Sequence, residues 1–352
     1  MEETARIIAL AGLLQDIGTI CRRAGCPNKQ SRNMLAACLP AGQAYEALLQ
    51  CIGCHHQAIG VKYIRQNDHI AYLVYRAAEI AAGPDRRSAA EESAFSRGVA
   101  YNSQYPQLWT TLQNSLQHTD FLTCTVNQVL TMLQAVAAGI PYSTAAGSKG
   151  DFSLYDHSRL TAALAVCLYR YFQAAGISDY RSWCAGRNKI QCRTVPTFLL
   201  AAGELTGNRD GLYAVSGIKS EDCLEKWLSV FELSRAHLLS ADGARFSMLL
   251  PNIPEVISFL EAANGAGNDW MLTNCGTSMH LTLTWQKVSA DALTECQPAG
   301  KPSPVLIRQA SIVEAMVDAA DYRQSELYLC LRNKDSKRRL RQQRALQETG
   351  AF

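Results

Sequence analysis

Apolar residues recur at helical spacing through the first half of the chain. Ile7, Ile8, Leu10, Ala11, Leu13 and Leu14 mark one such segment. Ile70, Leu73, Val74, Ala77 and Ala81 line one side of a second, from His69 to Ala82. The stretches 126–138 and 160–175 repeat the pattern, while Pro84, Pro106 and Pro141 interrupt it and 147–150 reads as a loop. Residues 4 to about 180 are therefore expected to be helical. The pattern changes near Val195-Pro196. From there the apolar runs are short and strand-like: 198–201, 245–250 and 279–285, the last alternating as a half-buried strand does. Helical segments fall between them, at 223–239 and 254–263. Strand and helix in this alternation predict an α+β unit of the ferredoxin-like kind. The boundary is placed near 185–195, giving a helical domain 1–190 and a sheet domain 191–305. A loop is expected at 289–303 and a closing helix from about 306, within a basic tail 306–352.

The 352 residues suffice for roughly two domains, and 48% hydrophobic content supplies a sizeable core. The net charge of +3 is too balanced to prove a nucleic-acid partner. The excess is concentrated in Arg332–Arg344, with seven basic residues and one acidic, which suits a phosphate backbone as well as a solvated helix face. Thirteen cysteines, odd in number and irregular in spacing, argue against a disulfide framework and for a reducing cytoplasm. The start Met1-Glu2-Glu3 is acidic where a signal peptide is basic, and the run Ile7–Leu14 is too short to span a bilayer, so no membrane segment is expected.

Three features carry candidate chemistry. In Phe198–Tyr213 an apolar run meets Ala202-Gly203-Glu204 and then Thr206-Gly207. This reads as a strand ending in a tight turn with Glu204 at its tip, where glycine would let a metal or a phosphate-bearing ligand approach the backbone. The same residues also suit a plain strand-to-helix turn capped by Thr206. Farther upstream, Asp16, His55, His56 and His157 are imidazoles and a carboxylate on separate helices. Metal-dependent phosphohydrolases assemble sites from such residues, because a bound cation lowers the pKa of a water and needs carboxylate or imidazole ligands. Capping and satisfied core positions are the alternative. Cys51-Ile-Gly-Cys54-His55 matches the spacing of a c-type haem attachment, which belongs to an exported compartment. It also suits a zinc site, with Cys184 and Cys192 as distant further ligands.

Taken in order, Ala9–Gly18, His55-His56, Ile80–Arg87, Ile140–Thr144, Gly150–Ser158, Phe198–Tyr213 and Arg245–Asn252 resemble the large subunit of type III-A CRISPR effector complexes over nearly the whole chain. The resemblance implies a permuted HD-type helical domain that cuts single-stranded DNA with metal ions. It also implies palm domains that make cyclic oligoadenylates from ATP when target RNA pairs with the CRISPR RNA. Divalent metal (Mn, Mg or Ni) and ATP are the implied cofactors. The implied partners are the other ribonucleoprotein subunits, crRNA, target RNA and single-stranded DNA, with no membrane.

The sequence departs from that pattern. The family's His-Asp pair reads Gln15-Asp16, and its Ala-Asp pair reads Ala77-Ala78, with Glu79 facing elsewhere on the helix. An amide oxygen binds a hard cation but is a poor partner for a transition metal. His55, His56 and His157 match, so the expected metal and catalytic set is Asp16, His55, His56 and His157, with weakened nuclease activity. Gly203, Glu204, Thr206 and Gly207 form a candidate nucleotide-binding run, with Ala202-Gly203-Glu204 in place of Gly-Gly-Asp. The Gly-Gly-Asp-Asp motif of a second palm does not occur in the sequence, which reads as a shortened subunit or a gene fragment. A catalytically inactive structural or RNA-binding subunit is the alternative function.

Overall fold

The computed structural model describes residues 1–26, 31–39, 45–53, 64–82, 104–142, 153–207, 220–242, 245–275 and 279–294. The predicted zinc ligands Cys54 and His55, the ligand His56 and the predicted tail 306–352 lie outside them.

The apolar N-terminal stretch forms α1 (Glu3–Leu14) and α2 (Ile17–Arg23). Glu3–Arg23 has the length and composition to cross a membrane, but 83% of its apolar 18-residue stretch is buried within the fold, as in a core helix. The chain turns at Gln15-Asp16, where Asp16 adopts φ −105° and ψ 5°, outside the helical region. Next come α3 (Ser31–Cys38), α4 (Glu46–Gly53), α5 (Ala71–Ala81), α6 (Tyr105–Gln117) and α7 (Val126–Ala137). Thr125 and Gln128 close a reciprocal capping box at the start of α7.

The centre of the helical region is α8 (Leu154–Ala174), capped by Ser153, whose hydroxyl accepts from the Asp156 amide. Every residue from Leu160 to Tyr169 is buried. It packs on α1, on α5 and, at its far side, on the sheet. Small residues allow the α1 crossing: a methyl added at Gly12 would lie 2.7 Å from Ala162 Cα. Two short helices, α9 (Tyr180–Cys184) and α10 (Lys189–Thr194), lead into the sheet.

The second region runs β1 (Phe198–Gly207), α11 (Ser220–Val230), β2 (Leu238–Asp242), β3 (Arg245–Pro251), α12 (Pro254–Cys275), β4 (Met279–Val288) and α13 (Ala290–Thr294). The four strands are antiparallel in the order β2-β3-β1-β4. Phe198 to Ala202 are all buried, as a central strand covered on both faces requires. Trp227, Phe231, Phe246 and Phe259 join α11 and α12 to the sheet through edge-on ring contacts. The molecule thus combines helices with a small antiparallel sheet.

Three sequence expectations need correction. The helix predicted over 223–239 stops at Val230; a 3-10 turn (Arg235–His237) and β2 follow, because Glu232 takes φ 56° and reverses the chain. The strand predicted to end before Glu204 continues to Gly207, with Glu204 paired to Arg245 on one side and Thr282 on the other. The predicted loop from 289 begins with a helix, α13, tied to α10 by an Arg193–Asp291 ion pair of 2.5 Å.

Candidate functional site

The turn between α1 and α2 and the first turn of α8 meet inside the helical region. There Asp16 Oδ2 lies 3.3 Å from His157 Nε2, with side chains 1% and 0% exposed. Asp16 occupies the N-cap position of α2 yet makes no capping bond. An aspartate at that position ordinarily turns its carboxylate onto the helix amides. Here the amide of Gly18 is taken by the Ser31 hydroxyl at 2.8 Å, and the carboxylate turns to His157 instead. The capping alternative for Asp16 is thereby set aside.

The imidazole is held by more than the carboxylate. Tyr142 stacks on it with ring centroids 3.7 Å apart and planes 15° apart. Tyr142 is fixed in turn from α2, since Arg23 donates to the carbonyls of Pro141 at 2.6 Å and Tyr142 at 3.2 Å. The backbone closes the same corner, with Leu154 donating to the Ile140 carbonyl at 2.7 Å. A ring clamped on its face and at one nitrogen has little freedom to leave its orientation.

Gln15 is fully buried beside Asp16, and among the described residues neither atom of its amide has a hydrogen-bond partner. The hydroxyl of Thr161, one turn beyond His157, is buried in the same condition. Polar groups in that state cost a few kcal/mol each unless another group satisfies them. A divalent cation is such a group. Its nitrogen and oxygen ligands lie about 2.0–2.2 Å from it, so two atoms 3.3 Å apart suit a shared ion. The carboxylate, the imidazole and the amide oxygen thus fit part of a metal centre. Among the described residues no group of three histidines, cysteines or acids converges to complete one.

The remaining sequence candidates fall elsewhere. Ala78 is buried in α5, and Glu79 is committed to Arg76 at 2.8 Å, Tyr75 at 3.0 Å and Lys189 at 3.5 Å. Arg76 and these partners hold the Glu79 carboxyl below its ordinary value against the opposing effect of burial. Cys51 is buried in α4. Cys184 and Cys192 adjoin one another beside Arg76, and the Cys184 hydrogen bond, with the guanidinium, lowers the Cys192 thiol. In the sheet, Glu204 pairs with Arg245 at 2.8 Å across β1 and β3. The space above Gly203 is filled by Phe246, whose Cζ would lie 2.4 Å from an added methyl. In this structure that glycine makes room for the ring. Thr206 and Gly207 continue β1 opposite His280 and Met279. Tyr142 was not singled out in the sequence, because a stacking residue in a loop leaves no periodic signal.

Known proteins share stretches of this sequence and most of its fold. The family described as "Csm1 subunit domain B" matches residues 217–328. The chain is 24% identical over 319 residues to the CRISPR system single-strand-specific deoxyribonuclease Cas10/Csm1 (subtype III-A) of Streptococcus thermophilus, covering 73% of this chain and 42% of the relative. A crystal structure of Csm1 in T. onnurineus superposes with a TM-score of 0.68 at 21% identity, over 93% of this chain and 50% of that one. Structures of a Csm1-Csm4 cassette in complex with one ATP and with cA4 give TM-scores of 0.65 and 0.66 at 21% and 20% identity. Each match covers 90% of this chain and 48% of the other. The chain spans about half the length of these solved chains, and less of the relative from Streptococcus. In sequence and in fold, the chain is similar to the Cas10/Csm1 large subunits of type III-A CRISPR systems.

Proposed function

We propose that this chain supplies the single-strand DNA-cleaving part of a type III-A large subunit, with its helical region as a permuted HD-type domain over 1–190. The observation that supports this most is the buried Asp16–His157 pair, drawn from segments 141 positions apart. With His55 and His56, these residues would hold the divalent cation. When bound, that ion would supply charge neutralisation at a phosphodiester and a water of lowered pKa. The chain's own groups prepare the place. Asp16 contributes the negative charge, Tyr142 fixes the imidazole plane, and the packing of α1 on α8 excludes bulk water. Gln15 weakens the set, because an amide oxygen replaces an imidazole nitrogen.

The sheet region, 191–305, is read as a ferredoxin-like palm domain. ATP and cA4 bound to the related cassette support a role for this part in oligoadenylate synthesis, with Csm4, crRNA and target RNA as partners in a cytoplasmic ribonucleoprotein. In this reading the run Gly203–Gly207 borders the nucleotide, and its contacts with Phe246 and Arg245 must open or be bypassed.

Incubation with labelled single-stranded DNA and Mn²⁺ tests the nuclease assignment. Slow cleavage that chelation stops, and that Asp16→Ala and His157→Ala each remove, is expected. Cleavage at an unchanged rate in both variants would overturn the assignment.

A further inference from the structure

A cavity of about 510 Å³ opens on the helical region, lined by Arg32, Gln50, Gly53, Ile64, Arg65, Gln66 and His69. Its wall is largely cationic and amide, with one aliphatic side chain. A chain of hydrogen bonds organises it. The Ala71 amide donates to His69 Nδ1 at 3.2 Å, which leaves Nε2 to carry the proton and donate to Gln50 Oε1 at 3.2 Å. Gln50 Nε2 then donates to Glu46 Oε1 at 3.1 Å, and that oxygen lies 3.5 Å from Arg32 Nη2. Desolvation lowers the pKa of His69, so the positive charge of the wall at neutral pH comes from the two guanidinium groups. Arg32 lies across Gly53, where an added methyl would meet its Cδ at 2.8 Å.

Two residues of the cavity wall are near metal-ligand candidates along the chain. Arg32 follows Ser31, whose hydroxyl binds the Gly18 amide two residues beyond Asp16. Gly53 lies two residues before His55-His56. We propose that this cavity is a substrate subsite of the single-strand DNA reading, on which it rests: Arg32 and Arg65 hold a phosphodiester of the strand, and Ile64 and the ring of His69 take the adjoining base. The arginines are suited to it because a guanidinium fork matches two phosphate oxygens. The volume accommodates a nucleotide unit, and the aliphatic and aromatic walls accept any base, as a sequence-tolerant nuclease requires. Glu46 has a defined role here. It competes with phosphate for Arg32 and holds that side chain in place until the strand arrives.

The test is binding of a fluorescent oligodeoxynucleotide to the full chain in EDTA, read by anisotropy over a salt series. Arg32→Ala with Arg65→Ala is expected to weaken binding on the order of tenfold at low salt. It should also reduce the slope of log K against log salt by about 0.7 per arginine removed. Glu46→Gln should tighten binding, a change that a merely structural role for Glu46 would not produce. Unchanged affinity and slope in the double arginine variant, no DNA binding by the wild type, or preference for an RNA oligonucleotide of the same sequence would overturn the proposal. If the double variant binds normally while Mn²⁺-dependent cleavage persists, the subsite fails and the nuclease reading stands.

Discussion

His237 makes the strongest pH-dependent prediction. It is fully buried in the turn before β2, between α7, α8 and β3. Its Nδ1 bonds the Ser234 backbone, and among the described residues its Nε2 has no partner. Burial lowers its pKa from 6.5 to about 4, with the Ser234 bond opposing. The sign follows from which state takes the proton. Below pH 6.5 the unfolded chain protonates this histidine and the folded chain does not, so folding loses stability as pH falls from about 6.5 towards 4. At 1.36 kcal/mol per pH unit the loss is about 2 kcal/mol by pH 5 and about 3 kcal/mol at its limit. Urea unfolding at pH 8 and pH 5, followed by tryptophan fluorescence, measures it. His237→Gln should be less stable at pH 8 yet lose about 2 kcal/mol less than the wild type between the two pH values. Equal losses in both proteins would refute the reasoning.

Three further outcomes follow from the packing. Gly12→Ala sets a methyl against the α8 backbone at Ala162 and should cost about 1–3 kcal/mol in denaturant unfolding while slowing cleavage, because it moves Asp16 away from His157. Gly203→Ala collides with Phe246 and the Thr282 carbonyl, and should cost a similar 1–3 kcal/mol without affecting Mn²⁺-dependent cleavage. Glu232 holds φ 56° while accepting from Arg170 at 3.0 Å and the Glu2 amide at 3.1 Å. Glu232→Ala should therefore destabilise more than Glu232→Gly, since glycine relieves the left-handed backbone and alanine loses the contacts without that relief.

Periodicity was enough to read most of the fold. The helical stripes of 7–14, 69–82, 126–138 and 160–175 each correspond to a helix, and the three apolar runs after Pro196 each correspond to a strand. β2 was missed because Leu238–Asp242 is five residues long and the helix predicted over 223–239 overlapped its first two residues. Glu232, the residue that breaks that pattern, is no sequence signal for a left-handed turn. Asp16 and His157 were grouped from residue chemistry and their separate helical segments, and the resemblance strengthened the grouping; the contact itself was not legible, because neither residue advertises its partner 141 positions away. Gly203 shows what the sequence leaves open: a glycine in a strand marks close approach, and in this structure the Phe246 ring makes it.

The most direct test of the proposed metal centre is restoration. Gln15→His returns an imidazole to the buried position beside Asp16, and the rate of Mn²⁺-dependent cleavage of single-stranded DNA should rise at least tenfold, the smaller of the effects seen when even outer groups of a metal site change. A Gln15→His protein that folds as the wild type does and cleaves no faster would contradict the account.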